Sequence, residues 1–553
     1  MDERHQKLKK IIVNEVFITQ DKERIVEPTG ENAQWLFDFR RVLLRGDVLD
    51  LVAGLFWERC KDITPFQVGG VEVAAIPLIA ALVLKAKEKG VPINGFFIRK
   101  SRKKQGLMRM IEGGLTEEKV ILVDDLMNSG GSLMRQVKIL EELGKKVVVV
   151  LTVLRFRDSE YYKYFHDKGI EVQSIFTLDD FGDSLQVKNL VDKKDGLVPM
   201  PFKAVWCFKS ENPNYFYVVP KSAPIGDDKK IYFGADNGNF WAINHIDGSV
   251  AWKYKIGFHA KGKYIFSSPA MSKDLVYFGA YDGNLYALNK ETGKPKWIFM
   301  EADWIGSSPC IAPHLNLIFV GLEFGLWRKQ GGIVALDLET GQKKWEYIMP
   351  GLTHSSPAYS EKEGVVVCGC NDFSVRGFNA RTGKLLWECK TGGEVKASFA
   401  FDEKRNLVAF GSFDKRAYVL KIKTGELVYQ IETDEAIYST PLIHEDRLYV
   451  SSLDKKLYCV DLNTGRIAWE FNTIGRIFAS PEAIGDNIYI GSNDGRLYEL
   501  DANTGKNTAL FQTTERITNK IIYHQKTGRI FLPTFANEIY CLSKIPGAFT
   551  STA

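Results

Sequence analysis

Residues 203–546 repeat one pattern, and this repetition limits the possible folds more than any other feature of the chain. The stretch "SSPAMSKDLVYFGAYDGNLYALNKETGKPKWIF" (267–299) aligns with "STPLIHEDRLYVSSLDKKLYCVDLNTGRIAWEF" (439–471) and with "ASPEAIGDNIYIGSNDGRLYELDANTG" (479–505). Each unit opens on a small residue and proline and continues as an apolar strand. A D-G-type turn, a second alternating strand, a T-G turn and a strand bearing tryptophan follow. Pro224, Pro269, Pro309, Pro357, Pro441 and Pro481 recur at intervals of about 40–48 residues, with one unit skipped near Phe399. Trp252, Trp297, Trp345, Trp387 and Trp469 each lie four residues after a turn glycine, and Tyr429 takes that place once.

A period near 40 with four strands per unit predicts propeller blades. Eight units begin near 222, 267, 307, 355, 397, 439, 479 and 518. The last, "NKIIYHQKTGRIFLPTFANEIYCLSKI", stops before a fourth strand, whereas "KAVWCFKS" (203–210) precedes the first unit and carries a suitable tryptophan. That segment is expected to complete the eighth blade and remove the open sheet edge. The tryptophans are expected to pack blade against blade.

Residues 1–200 alternate helical and strand-like segments instead, so two domains are expected, 1–200 and 201–553. With 45% apolar and 25% charged residues, the chain has the composition of a folded globular protein. Its net charge of +5 is spread over both parts, without the basic bias of a nucleic-acid binder. The charged start "MDERHQKLKK" and a longest apolar run of only 12 residues, "VAAIPLIAALVL" (73–84), predict neither secretion nor a membrane span, and hence a cytoplasmic protein. The eight cysteines contain no CxxC pair and are expected to be reduced thiols; "CGC" (368–370) alone is poor evidence for zinc.

The chemistry concentrates in "VILVDDLMNSGGSL" (120–133). Val120–Val123 read as a parallel strand buried on both faces, and "SLMRQVKILEEL" (132–143) has helical spacing. The turn between them sits where open α/β sheets bind ligands. Free N–H groups and the helix dipole favour a phosphate there. Gly130 and Gly131 admit a close backbone approach, and Ser129 and Ser132 add hydroxyl donors. Asp124 and Asp125 stand too near an anion site to bind the phosphate themselves; they suit vicinal sugar hydroxyls, or an ion. An acidic strand end without such a ligand, as in receiver domains, is the structural alternative.

The stretch resembles the phosphoribosyl-diphosphate signature of type I phosphoribosyltransferases. The order of the flanking segments resembles the orotate phosphoribosyltransferase family. "FFIRKSRKKQG" (96–106) matches its mobile basic loop at Arg99, Lys100 and Lys103. "TGENAQWLFDFRRVL" (29–43) keeps Asp38 and Arg40, and "VGGVEVAAIPLIAAL" (68–82) resembles the pyrophosphate loop at Ile76 and Pro77. "RFRDSEYYKYFHDKGIEVQSIFTLDDF" (155–181) resembles the closing segment, in which an arginine contacts the base.

The resemblance implies an α/β phosphoribosyltransferase-type parallel-sheet domain ahead of the all-β eight-bladed propeller. It implies transfer of ribose 5-phosphate to a pyrimidine-like base, with Lys103 catalytic. The phosphoribosyl diphosphate would be held by Arg99, Lys100, Asp124, Asp125, Met127, Asn128, Ser129, Gly130, Gly131 and Ser132. The base would be read by Asn128 and by Arg157, with Arg155 competing. Mg²⁺ is the implied cofactor, carried by substrate oxygens rather than by a dedicated protein metal site, and a homodimer the implied assembly.

Four positions depart from that pattern: Pro28 and Ala74 stand in place of lysine, Gln105 of histidine and Asn128 of threonine. A non-catalytic sensor of a phosphoribosyl ligand is therefore the alternative function. The repeats resemble quinoprotein-type propellers, but those dehydrogenases carry adjacent cysteines, which this chain lacks. The propeller is expected to serve as an interaction scaffold for a protein partner.

Overall fold

The computed structural model describes residues 2–19, 35–99, 110–181, 198–211, 213, 222–257, 264–326 and 329–545. It divides into two units, Met1–Leu197 and Val198–Ala553. No helix among the described residues is long and apolar enough to cross a membrane.

The first unit is built on a five-stranded parallel sheet in the order Asn94–Gly95, Phe66–Gly69, Lys119–Met127, Val147–Arg155, Glu171–Thr177. The central strand runs longer than the expected 120–123 and carries both aspartates within it. Val120, Ile121, Leu122 and Val123 are wholly buried, as a strand covered on both faces requires. On one face Val68, Ile121, Val123, Leu151 and Val153 share a core with helices Glu3–Ile11, Gly46–Cys60 and Ala75–Glu88. Helix Gly131–Glu142 buries Leu133, Val137 and Leu140 at the expected helical spacing.

The second unit is a ring of eight four-stranded antiparallel sheets. Seven are continuous in sequence. The eighth takes three strands from 522–544 and its outer strand, Phe202–Lys209, from ahead of the first blade, paired antiparallel to Glu538–Lys544. Closure thus occurs at the segment expected to provide it.

The tryptophans bind blade to blade. The indole N–H of Trp252 donates to the carbonyl of Lys290 in the next blade at 2.8 Å, and that of Trp387 to Ile422 at 2.8 Å. Each ring also covers the turn glycine of the following blade: a Cβ on Gly293 would lie 2.6 Å from Trp252, and one on Gly425 2.6 Å from Trp387. These glycines hold φ near +70°, so the aromatic lid and the left-handed turn both require that residue. Trp206 repeats the contact across the closing seam, donating to Ile246 at 2.9 Å. The blade ending at Asn507–Gln512 has Ala509 in the aromatic position. There the neighbouring strand supplies Lys544 instead, 2.7 Å from the buried Glu499.

Candidate functional site

Two turns leave the carboxyl ends of adjacent parallel strands. The first follows Phe66–Gly69 and leads into helix Ala75–Glu88; the second follows Lys119–Met127 and leads into helix Gly131–Glu142. The first passes tightly over the central strand, since a Cβ on Gly70 would lie 2.4 Å from the carbonyl oxygen of Val123. Gly69 pairs with Leu122 in register, so Asp124 and Asp125 lie on the central strand beyond the end of that neighbour.

Gly130 adopts φ +72° and ψ 0°, and no side chain caps the helix that follows. Its first N–H groups are therefore left to bind an anion, in line with the general behaviour of helix N-termini. Asn128, Ser129 and Ser132 are exposed around this end, whereas Met127, Gly130 and Gly131 are buried beneath it.

The carboxylates are locally braced. Asp124 Oδ1 accepts the N–H of Asp125 at 3.0 Å, and Asp125 Oδ1 accepts that of Leu126 at 2.9 Å. Burial pushes the Asp125 carboxyl above the usual carboxylate range, against the lowering effect of its hydrogen bonds. Arg40 is held by Asp38, Nε to Oδ1 at 2.7 Å; that bond, and then the charge of Asp38, raise the guanidinium pKa, with a smaller contribution from Asp125.

Arg157 Nε donates to Asn128 Oδ1 at 3.2 Å, and its guanidinium lies over the Tyr161 ring at 5.3 Å. Arg155 ends the strand beside Met127, with its Nε buried and unpartnered among the described residues. The site therefore brings together Asp124, Asp125, Met127–Ser132, Arg155 and Arg157. Arg99 lies nearer the first turn, 4.0 Å from Glu72 and 3.7 Å from Glu112. Lys100 and Lys103, with Pro28 and Gln105, fall outside the described residues.

Sequence reasoning missed Tyr162. It is buried, and its hydroxyl donates to the carbonyls of Met127 and Asn128 while receiving the N–H of Arg157. The signal was present in "RDSEYYKYF", but nothing in spacing alone separates a tyrosine that braces a loop from one that fills a core.

The phosphoribosyl transferase domain family matches residues 43–186. An orotate phosphoribosyltransferase of Bradyrhizobium diazoefficiens is 32% identical over 158 residues, covering 28% of this chain and 84% of that protein. One from Rhodopirellula baltica is 32% identical over 163 residues, covering 28% and 83%. In the second unit, residues 203–363 match the family described as outer membrane protein assembly factor BamB. Residues 328–552 match the β-propeller described for beta-alanine-activating enzyme. The solved structure of BamB from Moraxella catarrhalis superposes with a TM-score of 0.50 at 17% identity, covering 64% of this chain and 99% of that one, a likeness of fold alone.

Proposed function

From the premise that this chain belongs, through its first unit, to the phosphoribosyltransferase family, we propose that it transfers ribose 5-phosphate from phosphoribosyl diphosphate to a pyrimidine-like base of the orotate type, releasing pyrophosphate. One observation carries the reading: an acidic strand end and an uncapped helix N-terminus meet at the mouth of a parallel sheet. The first grips a sugar by its diol and the second by its phosphate.

As the C1′–oxygen bond breaks, its electron pair leaves with pyrophosphate. The base nitrogen forms the new bond to C1′ and gives up its proton to the departing pyrophosphate. Positive charge develops on the sugar and negative charge on the leaving group, so catalysis rests on positioning and charge stabilisation. Asp124 and Asp125 hold the ribose hydroxyls. Ser129, Ser132 and the backbone N–H groups hold the 5-phosphate. Lys103, with Arg99 and Lys100, neutralises the leaving pyrophosphate. Arg157, fixed by Asn128 and Tyr161, faces the base.

Among the described residues no group of three or more His, Cys, Asp or Glu is placed to hold a metal. The aspartate pair suits a Mg²⁺ ion carried mainly by diphosphate and ribose oxygens, whose charge would offset the diphosphate. The propeller is assigned the role of an interaction scaffold, in a cytoplasmic homodimer joined through the transferase unit.

The test is incubation of the full chain with phosphoribosyl diphosphate, Mg²⁺ and a panel of bases, following pyrophosphate. Release with one base, reduced about 10²–10³-fold by Lys103→Ala, supports transfer. Tight binding of phosphoribosyl diphosphate without release for any base replaces the enzyme by a sensor.

A further inference from the structure

Along the axis of the propeller runs a cavity of about 830 Å³, within the size range of small-molecule sites. Its shaft is regular. Ser268, Ser308, Ser356, Thr440 and Ser480 line it, each accepting a backbone N–H from the preceding blade at 2.9–3.2 Å. Two residues before each of these hydroxyl positions, and before Ser398, the wall becomes irregular: Phe266, Gly306, His354, Lys396, Tyr438 and Phe478 follow one another around the ring.

The repeat departs furthest from its own pattern in the third blade. Its middle strands, Leu317–Phe324 and Gln330–Asp337, are eight residues long, against five or six at the equivalent places in the other continuous blades. Where the second blade has Tyr281 after its strand glycine, this blade has Glu323, wholly buried. Glu323 Oε1 lies 3.2 Å from His354 Nδ1 and accepts the N–H of Gly306 at 3.2 Å. Its Oε2 is buried with no partner among the described residues. Glycine at 306 makes this possible, since a Cβ there would lie 3.0 Å from Oε1 and 2.8 Å from Tyr281 Oη.

The charges decide what the cavity favours. Lys396 has its own carboxylate, Glu394, at 2.5 Å, and lies 4.5 Å from the Phe413 ring centre; Lys520 has Glu482 at 3.7 Å. Among the described residues the one ionisable base within 4 Å of Glu323 is His354. His354, which lines the cavity, stands with Nδ1 3.2 Å from Glu323 Oε1, and the Oε2 of that buried carboxylate has no partner among the described residues. Tyr281 stacks edge-on to Phe266 at 5.5 Å, and Tyr438 lies 5.6 Å from Phe478, so aromatic rings form part of the surrounding wall. A hydrogen-bond acceptor, a net negative field and aromatic faces together select a protonated amine.

We propose that the axial cavity of the propeller is a binding site for a small organic ammonium ion, which packs against the His354 imidazole and has Glu323 as its buried counter-charge. The site is independent of the transferase reading and needs no turnover. It is tested by calorimetric titration of the full chain with benzylammonium, benzoate and benzyl alcohol. Benzylammonium alone is expected to bind. Glu323→Gln, which keeps the shape and removes the charge, is expected to weaken it at least tenfold, and His354→Gln similarly. Near-UV circular dichroism checks that each variant is folded; should one variant unfold, the other decides. Preferential binding of benzoate, no benzylammonium binding at millimolar concentration, or affinity unchanged in a folded variant overturns the proposal.

Discussion

The hydroxyl of Tyr162 lies 2.9 Å from the carbonyl oxygen of Asn128 and 3.1 Å from that of Met127, and the N–H of Arg157 reaches the same hydroxyl at 3.3 Å. One buried phenol therefore ties the turn that follows the central strand to the segment that carries Arg157. Tyr162→Phe keeps the ring and removes the tie. Losing a net hydrogen bond of about 1.4 kcal/mol corresponds to about a tenfold change. The variant is expected to raise KM for phosphoribosyl diphosphate by about that factor, with a smaller change in kcat, measured by initial rates of pyrophosphate release.

Asp125 gives a pH dependence. Burial raises its pKa in the folded, unliganded protein, so the folded state holds its proton more tightly than the unfolded one. Its contribution to stability is fully present below the unfolded pKa and is lost as pH rises through the folded value. At neutral pH the buried charge is a cost, and Asp125→Asn is expected to raise Tm there but not at acid pH. In the proposed reading the ribose hydroxyls need the charged form, so the same variant is expected to weaken phosphoribosyl diphosphate by roughly 10–100-fold, from about 1.5–3 kcal/mol per charged hydrogen bond. Thermal denaturation at two pH values, with calorimetric binding, checks both halves.

Gly130→Ala tests the turn itself. At φ +72° an L-residue costs about 1–2 kcal/mol, and the new Cβ would lie 2.8 Å from Met127 Cε and 3.1 Å from the Phe165 ring. The helix N-terminus is expected to shift and affinity for the 5-phosphate to fall by at least tenfold. Titration with ribose 5-phosphate isolates this subsite from the pyrophosphate contacts.

At the propeller seam, Trp206→Ala removes the indole that donates to Ile246 and covers Gly248. A loss of about 2–4 kcal/mol is expected, below the full cost for a wholly buried tryptophan because Trp206 is only partly buried. Urea unfolding gives the loss, and limited proteolysis is expected to cut within 202–209. Trp469→Ala removes the same kind of contact inside the ring and is expected to destabilise without exposing that strand.

The propeller was legible because most blades restate the same local instructions: a small residue and proline, two turns, and an aromatic over a glycine. Ala509 breaks the aromatic rule, yet the blade forms because its strands and the Lys544–Glu499 pair do the packing. In the first unit the strand, the acidic pair and the glycine turn were readable because they are contiguous. Tyr162 acts on Met127 across 35 residues, and Glu323 meets His354 from a different blade. Such pairs are set by sheet register and ring geometry, which no local spacing encodes.

The strand Phe202–Lys209 leaves the ribosome before any blade exists, and its partner Glu538–Lys544 emerges only after seven blades have been made. Throughout that interval a nascent chain carries an unmatched strand at the front and, behind it, a growing row of sheets with a bare flank. A chain cut short before residue 538 keeps both edges for good, each able to recruit the other from a neighbouring copy.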